Sequence, residues 1–323
     1  MLPSTMHAIR LHAFGGPEQL AYEEVPVPEP GPGDVLVRVH AACLNPPDWY
    51  ARTGFTAIPA ELRPVLPLPY TPGSDVSGVV VAVGGGVTEW QAGDEVFGLV
   101  RFPALGDGGR GYAEYTTSPA GHLARKPAGI DHLQAAAVPM AGLTAYQFLF
   151  EHIGLRPGRT VLVNGAAGGV GHFAVQLAKA HGARVVAVAS GRHEEFLRSL
   201  GADRFIDYTT TEVETAVADV DHVVDTVGGP DGHRFLSVVK RGGTVSPVFL
   251  GDYDPDRAAA LGITLRGGQV RSDGAGMAAL AALIDAGRLR PAIDSVFPLA
   301  EAGQAHARAA QGHIQGKIVL KVV

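Results

Sequence analysis

In the N-terminal part of the chain, apolar and polar positions alternate in short runs separated by glycine and proline. Residues 7–14 and 22–27 are strand candidates, divided by Gly15-Gly16-Pro17, and Pro28 to Gly33 is a turn-rich connector. From Asp34 to Ala42 the period is two: Val35, Val37 and Val39 are expected on one face, Leu36, Arg38 and His40 on the other. Residues 75–84, 94–100 and 112–117 are further strands bounded by glycine, a density that predicts a small antiparallel barrel. From about Leu133 the pattern turns helical, with 134–151 expected as a helix interrupted at Pro139. Strand candidates then recur at 161–163, 185–189, 204–206, 222–225, 244–249 and 263–265, with helical stretches between most of them. That alternation predicts a doubly wound parallel sheet, and so an α/β protein. After Gly267-Gly268 come an amphipathic helix over 276–286, an extended segment over 291–297, a last helix and a strand over 317–322. This tail is not another βαβ repeat, and its simplest course is back to the barrel. The expected division is residues 1–133 with 271–323 as a discontinuous catalytic domain, and 134–270 as the cofactor domain.

The densest signal is Thr160 to Ser190. Val161 to Val163 reads as a buried strand, Gly165 to Gly171 as a small-residue turn, and Phe173, Leu177 and Ala180 recur at helical spacing until Gly182. Val185 to Ala189 is the next strand, completing a βαβ unit of about 30 residues. Ala166, Gly168 and Gly171 fall on the three positions of the G-x-G-x-x-G dinucleotide fingerprint. Gly168 would let backbone approach a pyrophosphate, and the free N–H groups near Gly169 and Val170 would bind it. At the end of the second strand, where an NAD site usually carries Asp or Glu, the chain has Ser190-Gly191-Arg192. A hydroxyl and a guanidinium there suit a 2′-phosphate, so NADP(H) is the expected cofactor. Thr226 and Val227, and then Phe249 and Leu250, end later strands at the sheet edge where a dinucleotide lies.

Composition narrows the class. The 323 residues are 46% hydrophobic and 18% charged, enough for two cored domains, with a formal net charge of −6. Lys and Arg form no patch, which argues against a nucleic-acid partner. No apolar run reaches membrane-spanning length and no charged-then-apolar leader opens the chain, so a cytoplasmic location is expected, with Met6 an alternative start. The one cysteine, Cys43, excludes a disulfide framework and any multi-cysteine metal site.

Six motifs occur in a recognisable order: N-P-x-D-x-x-x-R-x-G from Asn45 to Gly54, P-G-S-D-V-S-G from Pro72, G-D-E-V-F-G from Gly93, G-G-V-G from Gly168, F-L-R-S-L-G-A-D from Phe196 and G-K-I-V-L from Gly316. Over nearly its whole length the chain resembles the medium-chain dehydrogenase/reductase superfamily, and within it the zinc-independent quinone oxidoreductase and enone (alkenal) reductase branch. The resemblance implies a discontinuous GroES-like β-barrel beside a Rossmann domain. It also implies a homodimer through the nucleotide-binding sheets, whose strands over 244–249 and 263–265 would leave an edge to cover. Zinc members of the superfamily place Cys where this chain has Asn45, and His-Glu where it has Ser74-Asp75. Asn and Ser are poor zinc ligands, and none of the 13 histidines forms an H-x-x-x-H pair, so no metal is expected.

Without a Lewis acid, the remaining chemistry is hydride transfer to an acceptor that is already electron-poor, a quinone or an α,β-unsaturated carbonyl. The anion left behind needs a hydrogen-bond donor. By resemblance the donors are Asn45 and Tyr50, though Asn45 could instead brace its loop, Asp48 cap a helical turn, and Arg52 pair with Asp48 or Asp75. Also by resemblance, Thr144 lies near the nicotinamide, Tyr208 lines the adenosine-phosphate pocket and Lys317 is the tail lysine near the cofactor. Two other readings stay open: an enoyl reductase for carrier- or coenzyme A-linked chains, and a binding-only, crystallin-like member without turnover.

Overall fold

The computed structural model describes residues 2–56, 58–102 and 110–323. The N-terminal half comprises β1 (Thr5–Leu11), β2 (Leu20–Pro26), β3 (Asp34–Cys43), α1 (Pro46–Arg52), β4 (Asp75–Val83), β5 (Glu95–Leu99), β6 (Tyr115–Pro119) and β7 (Leu123–Arg125). Two helices, α2 (His132–Ala136) and α3 (Pro139–Tyr146), lead into β8 (Thr160–Asn164), α4 (Gly169–Ala180), β9 (Arg184–Ala189), α5 (Glu194–Ser199) and β10 (Arg204–Asp207). Then come α6 (Val213–Ala216), β11 (Val220–Asp225), β12 (Val239–Pro247), α7 (Pro255–Leu261), β13 (Thr264–Leu265), α8 (Gly274–Asp285), β14 (Ile293–Pro298), α9 (Ala302–Ala310) and β15 (Lys317–Lys321).

The long strand β3 organises the first sheet, ordered β14-β15-β3-β4-β5-β7. Its Asp34 end pairs with β6 and its Cys43 end with β15, both antiparallel, while β4 runs along its other edge. One strand thus serves two neighbours on one side, which bends the sheet toward a barrel. The C-terminal tail does return to this sheet, through β15. The strict alternation expected along β3 is broken. Register shifts at Leu36/Val37 and Val39/Ala41 disturb it, and Leu36 is buried together with Val35 and Val37.

The second sheet is wholly parallel, ordered β10-β9-β8-β11-β12-β13. The order reverses beside β8, so β8 and β11 flank the switch point where a ligand crevice forms above their C-terminal ends. The expected strand over 244–249 starts earlier and stops at Pro247, which places Phe249 in the loop beyond the sheet. The helix expected over 134–151 is two pieces. α2 ends at Ala136, and Pro139 opens α3, where its missing N–H costs nothing. The turn after α3, Gln147–His152, is wound as a π-helix. One core joins the sheets: Phe97 and Leu99 on β5, Leu143 on α3, Val161 and Val163 on β8, Phe173 on α4 and Leu280 on α8 belong to a single apolar cluster.

The turn between β8 and α4 is set by close backbone approach. A Cβ on Gly171 would stand 2.2 Å from the Gly165 carbonyl oxygen. Neither partner is a flexible side chain that could move aside. Gly171→Ala is therefore expected to cost about 1–3 kcal/mol through overpacking. Urea unfolding midpoints measure this, and a variant as stable as the parent would contradict the packing described.

Candidate functional site

A cleft of about 700 Å³ lies between the barrel and the C-terminal edge of the parallel sheet. Asn45, Tyr50, Thr144, Gly168, Gly169, Val170, Ser190, Tyr208, Thr226, Val227, Phe249 and Lys317 all line it. Of the residues named from sequence, Arg192 and Leu250 do not. The Arg192 guanidinium donates to the His313 carbonyl (2.7 Å) and to His193 Nε2 (3.1 Å), which turns it into a separate side pocket with Asp294 and Arg308. The Leu250 carbonyl is taken by the Gly229 N–H (3.0 Å), and its side chain is exposed.

On the barrel side, Asp48 reaches back from the first turn of α1 and accepts the Asn45 N–H at 2.8 Å. It also accepts the Gly73 N–H (3.1 Å) and the Tyr112 hydroxyl (3.1 Å), while burial pushes its carboxyl up to about 6. Asp48 is thus a helix brace. Arg52 pairs with neither Asp48 nor Asp75 and donates to the Gly15 carbonyl instead, at 2.5 Å. Asn45 is fully committed. Its amide hydrogens go to Asp75 Oδ2 (2.9 Å) and the Cys43 carbonyl (3.4 Å), and its Oδ1 accepts from Lys317 Nζ at 2.5 Å. A lysine ammonium can only donate, so the amide orientation is determined by its partners. Both amide hydrogens of Asn45 are directed into the protein, the geometry of the loop-bracing alternative.

Lys317 is buried and donates also to the Leu44 carbonyl (2.6 Å), leaving one of an ammonium's three donors unspent. Asp75 accepts the Met140 N–H at 2.9 Å, so Lys317, Asn45 and Asp75 tie β15, the loop before α1, β4 and the start of α3 together. Burial pushes the Asp75 carboxyl up to about 7, against the pull of Lys317. Burial likewise pushes the Cys43 thiol up to about 12, so this cysteine offers no thiolate. Ser74 is buried beside Asp75, and among the described residues no group of three or more His, Cys, Asp or Glu could hold a metal ion. Thr144 donates its hydroxyl hydrogen to the Met140 carbonyl (2.6 Å) and presents only lone pairs to the cleft. Tyr50 stacks on Phe249 across the cleft, ring centroids 5.4 Å apart and 15° from parallel. Burial raises the Tyr50 pKa, which keeps the phenol protonated and able to donate.

On the sheet side, α4 begins at Gly169 with no side-chain cap. Its first N–H groups and positive dipole end face the cleft, as an anion requires. His172 secures this turn, and nothing in the sequence pattern marked it. Its Nδ1 donates to the Gly168 carbonyl (3.0 Å) and its Nε2 accepts the Ala292 N–H (3.2 Å), joining the turn to the tail. Burial lowers its pKa to about 4 and keeps the ring neutral. Beside Ser190 the structure brings a carboxylate that the strand end itself lacks. A Cβ on Gly191 would lie 2.4 Å from Asp207 Oδ2, and Asp207 Oδ1 is held by the Thr209 N–H (2.9 Å) and hydroxyl (2.7 Å). The remaining walls are mostly apolar, with Trp49, Phe55, Ile58, Phe102 and Val270.

Residues 31–128 match the alcohol dehydrogenase GroES-like domain family, and residues 200–320 the zinc-binding dehydrogenase family. A chloroplast envelope quinone oxidoreductase homolog of Arabidopsis thaliana is 34% identical over 99% of this chain and 100% of its own. The chain belongs to the medium-chain dehydrogenase/reductase superfamily, in its quinone and enone reductase branch. The NADPH-dependent alkenal/one oxidoreductase of the same plant's chloroplast is 37% identical, covering 99% of this chain and 80% of that one. The quinone oxidoreductase structure from Coxiella burnetii superposes with a TM-score of 0.88, at 35% identity, over 99% of this chain and 100% of that one. The fold of this oxidoreductase is thus a GroES-like barrel joined to a Rossmann sheet. Among its described residues no helix is long and apolar enough to cross a membrane.

The buried carboxyl of Asp75 makes a signed prediction. Its folded-state value, about 7, lies above the usual 3.8, so the native state holds this proton more tightly than the unfolded chain does. The stability it contributes is full below the usual value and is lost as pH rises through about 7. Unfolding free energy should fall between about pH 4 and 7, and Asp75→Asn should flatten part of that slope, leaving the share of Asp48. Identical slopes in urea titrations would count against the assignment.

Proposed function

We propose that the protein is an NADPH-dependent reductase that delivers hydride to a quinone or to the C=C bond of an α,β-unsaturated carbonyl, without zinc. The observation that carries this reading is the uncapped start of α4 opening into an apolar cleft whose far wall is the Lys317–Asn45–Asp75 chain. When bound, the reduced nicotinamide supplies the hydride. Gly169 and Val170 would hold the pyrophosphate through their N–H groups, with His172 fixing the turn from behind. Ser190 and Tyr208 would receive the adenosine end and its 2′-phosphate. Asp207, whose Oδ1 is held by Thr209, keeps its charge beside Gly191 and counts against the 2′-phosphate, so Ser190 would have to outweigh it. Thr144, as an acceptor, would orient the nicotinamide side.

The zinc-free reading rests on donor chemistry. Where zinc members carry a thiolate and an imidazole, this chain presents an amide already bonded to a lysine ammonium. A cation at that point disfavours a second cation beside it. The apolar walls exclude water, and the Tyr50 hydroxyl would donate to the oxygen that gains charge as hydride adds. The alkenal/one and quinone relatives support this acceptor class. A cytoplasmic homodimer covering the short edge strand β13 belongs to the same reading.

Two measurements test it. Ser190→Asp should weaken NADPH at least about tenfold and leave NADH nearly unchanged, since a carboxylate repels the 2′-phosphate but accepts from a ribose hydroxyl. Equal affinity of the parent protein for both cofactors would remove the NADPH assignment. In steady-state assays of a 2-alkenal, a quinone and a saturated ketone, the ketone should be the poor substrate. Tyr50→Phe should lower kcat for the 2-alkenal about 10²–10³-fold with little change in NADPH affinity. Rapid reduction of the saturated ketone would overturn the acceptor class.

A further inference from the structure

Arg234 stands in the short turn Gly232–Ser237 that follows β11, and it lines the cleft with Thr226 and Val227. It is half-buried, and its Nε is buried with no hydrogen-bond partner. Among the described residues its guanidinium makes no hydrogen bond and no ion pair. Its one directional contact is the Phe235 ring, 4.9 Å from Cζ, which steadies a cation without neutralising it. The acids around it are otherwise placed. Asp225 is spent on Asn164 Nδ2 (2.8 Å), the Tyr253 hydroxyl (2.7 Å) and the Val227 N–H (3.0 Å), and Asp252 accepts the Asp254 N–H (3.2 Å). Asp231, at the start of the turn, is exposed and makes no ion pair with it. An unpartnered Nε is shared with Arg52, but the Arg52 guanidinium donates elsewhere, to the Gly15 carbonyl, and partly buried Arg308 has Asp294 at 2.8 Å.

A buried N–H without a partner is costly unless a ligand completes it, and the terminal nitrogens of Arg234 are left free to donate. Five donors in a planar fork suit a phosphate or a carboxylate. We propose that Arg234 is an anion-binding residue of the cleft, one that takes a phosphate or carboxylate group of the bound ligands. The chemistry is shared by two sources: the phosphates of the dinucleotide, and an acid or phosphate group carried by the acceptor. The inference deepens the reductase reading, and its cofactor arm rests on it.

The test compares Arg234→Gln and Arg234→Lys with Arg241→Gln, an exposed arginine outside the cleft. Direct binding of NADPH, NADH and 2′,5′-ADP is measured by titration, and KM is measured for crotonyl-CoA and for a neutral 2-alkenal. Arg234→Gln should weaken at least one anionic ligand about 10- to 100-fold, as expected for a lost charge-assisted hydrogen bond. Arg234→Lys should recover part of this as a point charge without the fork. Loss for NADPH and 2′,5′-ADP but not NADH assigns the 2′-phosphate, and equal loss for NADPH and NADH assigns the pyrophosphate. A KM rise confined to crotonyl-CoA assigns an acceptor anion. The melting temperature of ligand-free Arg234→Gln should equal or exceed that of the parent, because the orphaned N–H is gone, while stabilisation by the affected ligand shrinks. If the parent binds no dinucleotide, the cofactor reading fails by itself, and direct titration of crotonyl-CoA against the parent and both Arg234 variants still decides Arg234. Unchanged affinities and KM values in both Arg234 variants would overturn the proposal.

Discussion

The Lys317–Asn45–Asp75 chain is the interaction on which the site depends. It is a buried cation bonded to a buried amide bonded to a buried carboxyl, and each partner comes from a different stretch of chain. Removing charge from water is expensive, and only complete pairing repays it. Pairing can be complete here only if β15 lies beside β3, the loop before α1 takes its capped form, and α3 starts at the height of Asp75. The tail therefore does more than close the barrel. It delivers the lysine that orients Asn45, and by the same course it delivers Ala292, whose N–H holds His172 behind the turn before α4. Both walls of the cleft are set by one returning segment.

The same bookkeeping of donors separates groups that build the cleft from groups free to act in it. Asn45 and Thr144 line it but have spent their hydrogens inside the protein. Tyr50, one donor of Lys317, the first N–H groups of α4 and Arg234 are left over. In an apolar cleft such leftovers carry most of the directional energy available to a ligand, since each is costly to leave unmade.

Much of this was legible in the chain because it is written in local pattern. The βαβ unit from Thr160 to Ser190 combines strand, turn, helix and strand periods, and the glycines needed for close approach stand at fixed offsets within it. The alternating barrel strands and the returning tail could be read for the same reason. What escaped depends on non-local partners. Arg192 looked like a phosphate ligand at a strand end, but the tail offers it the His313 carbonyl from 121 residues away. Asp207 belongs to a neighbouring strand, and parallel pairing alone carries it to Gly191. His172 read as one more helix residue, and its role exists only because Ala292 passes behind it. Phe249 was expected to end its strand, but Pro247 ends β12 early and frees its ring to meet Tyr50.

These escapes share a cause that bears on cofactor choice. A strand-end signature names the residues nearest in sequence to the ribose, whereas the field there is summed over every strand that ends nearby. In the proposed reading Ser190 would favour a 2′-phosphate, and the charge of Asp207 would oppose one. Two donors from Thr209 hold Oδ1, and those hydrogen bonds hold the Asp207 pKa below the usual carboxylate value, so the charge is present but partly satisfied. In the proposed reading, the discrimination between NADPH and NADH would be a balance between a hydroxyl on one strand and a tethered carboxylate on the next. Thr209, which does not line the cleft, would set that balance through the carboxylate it restrains.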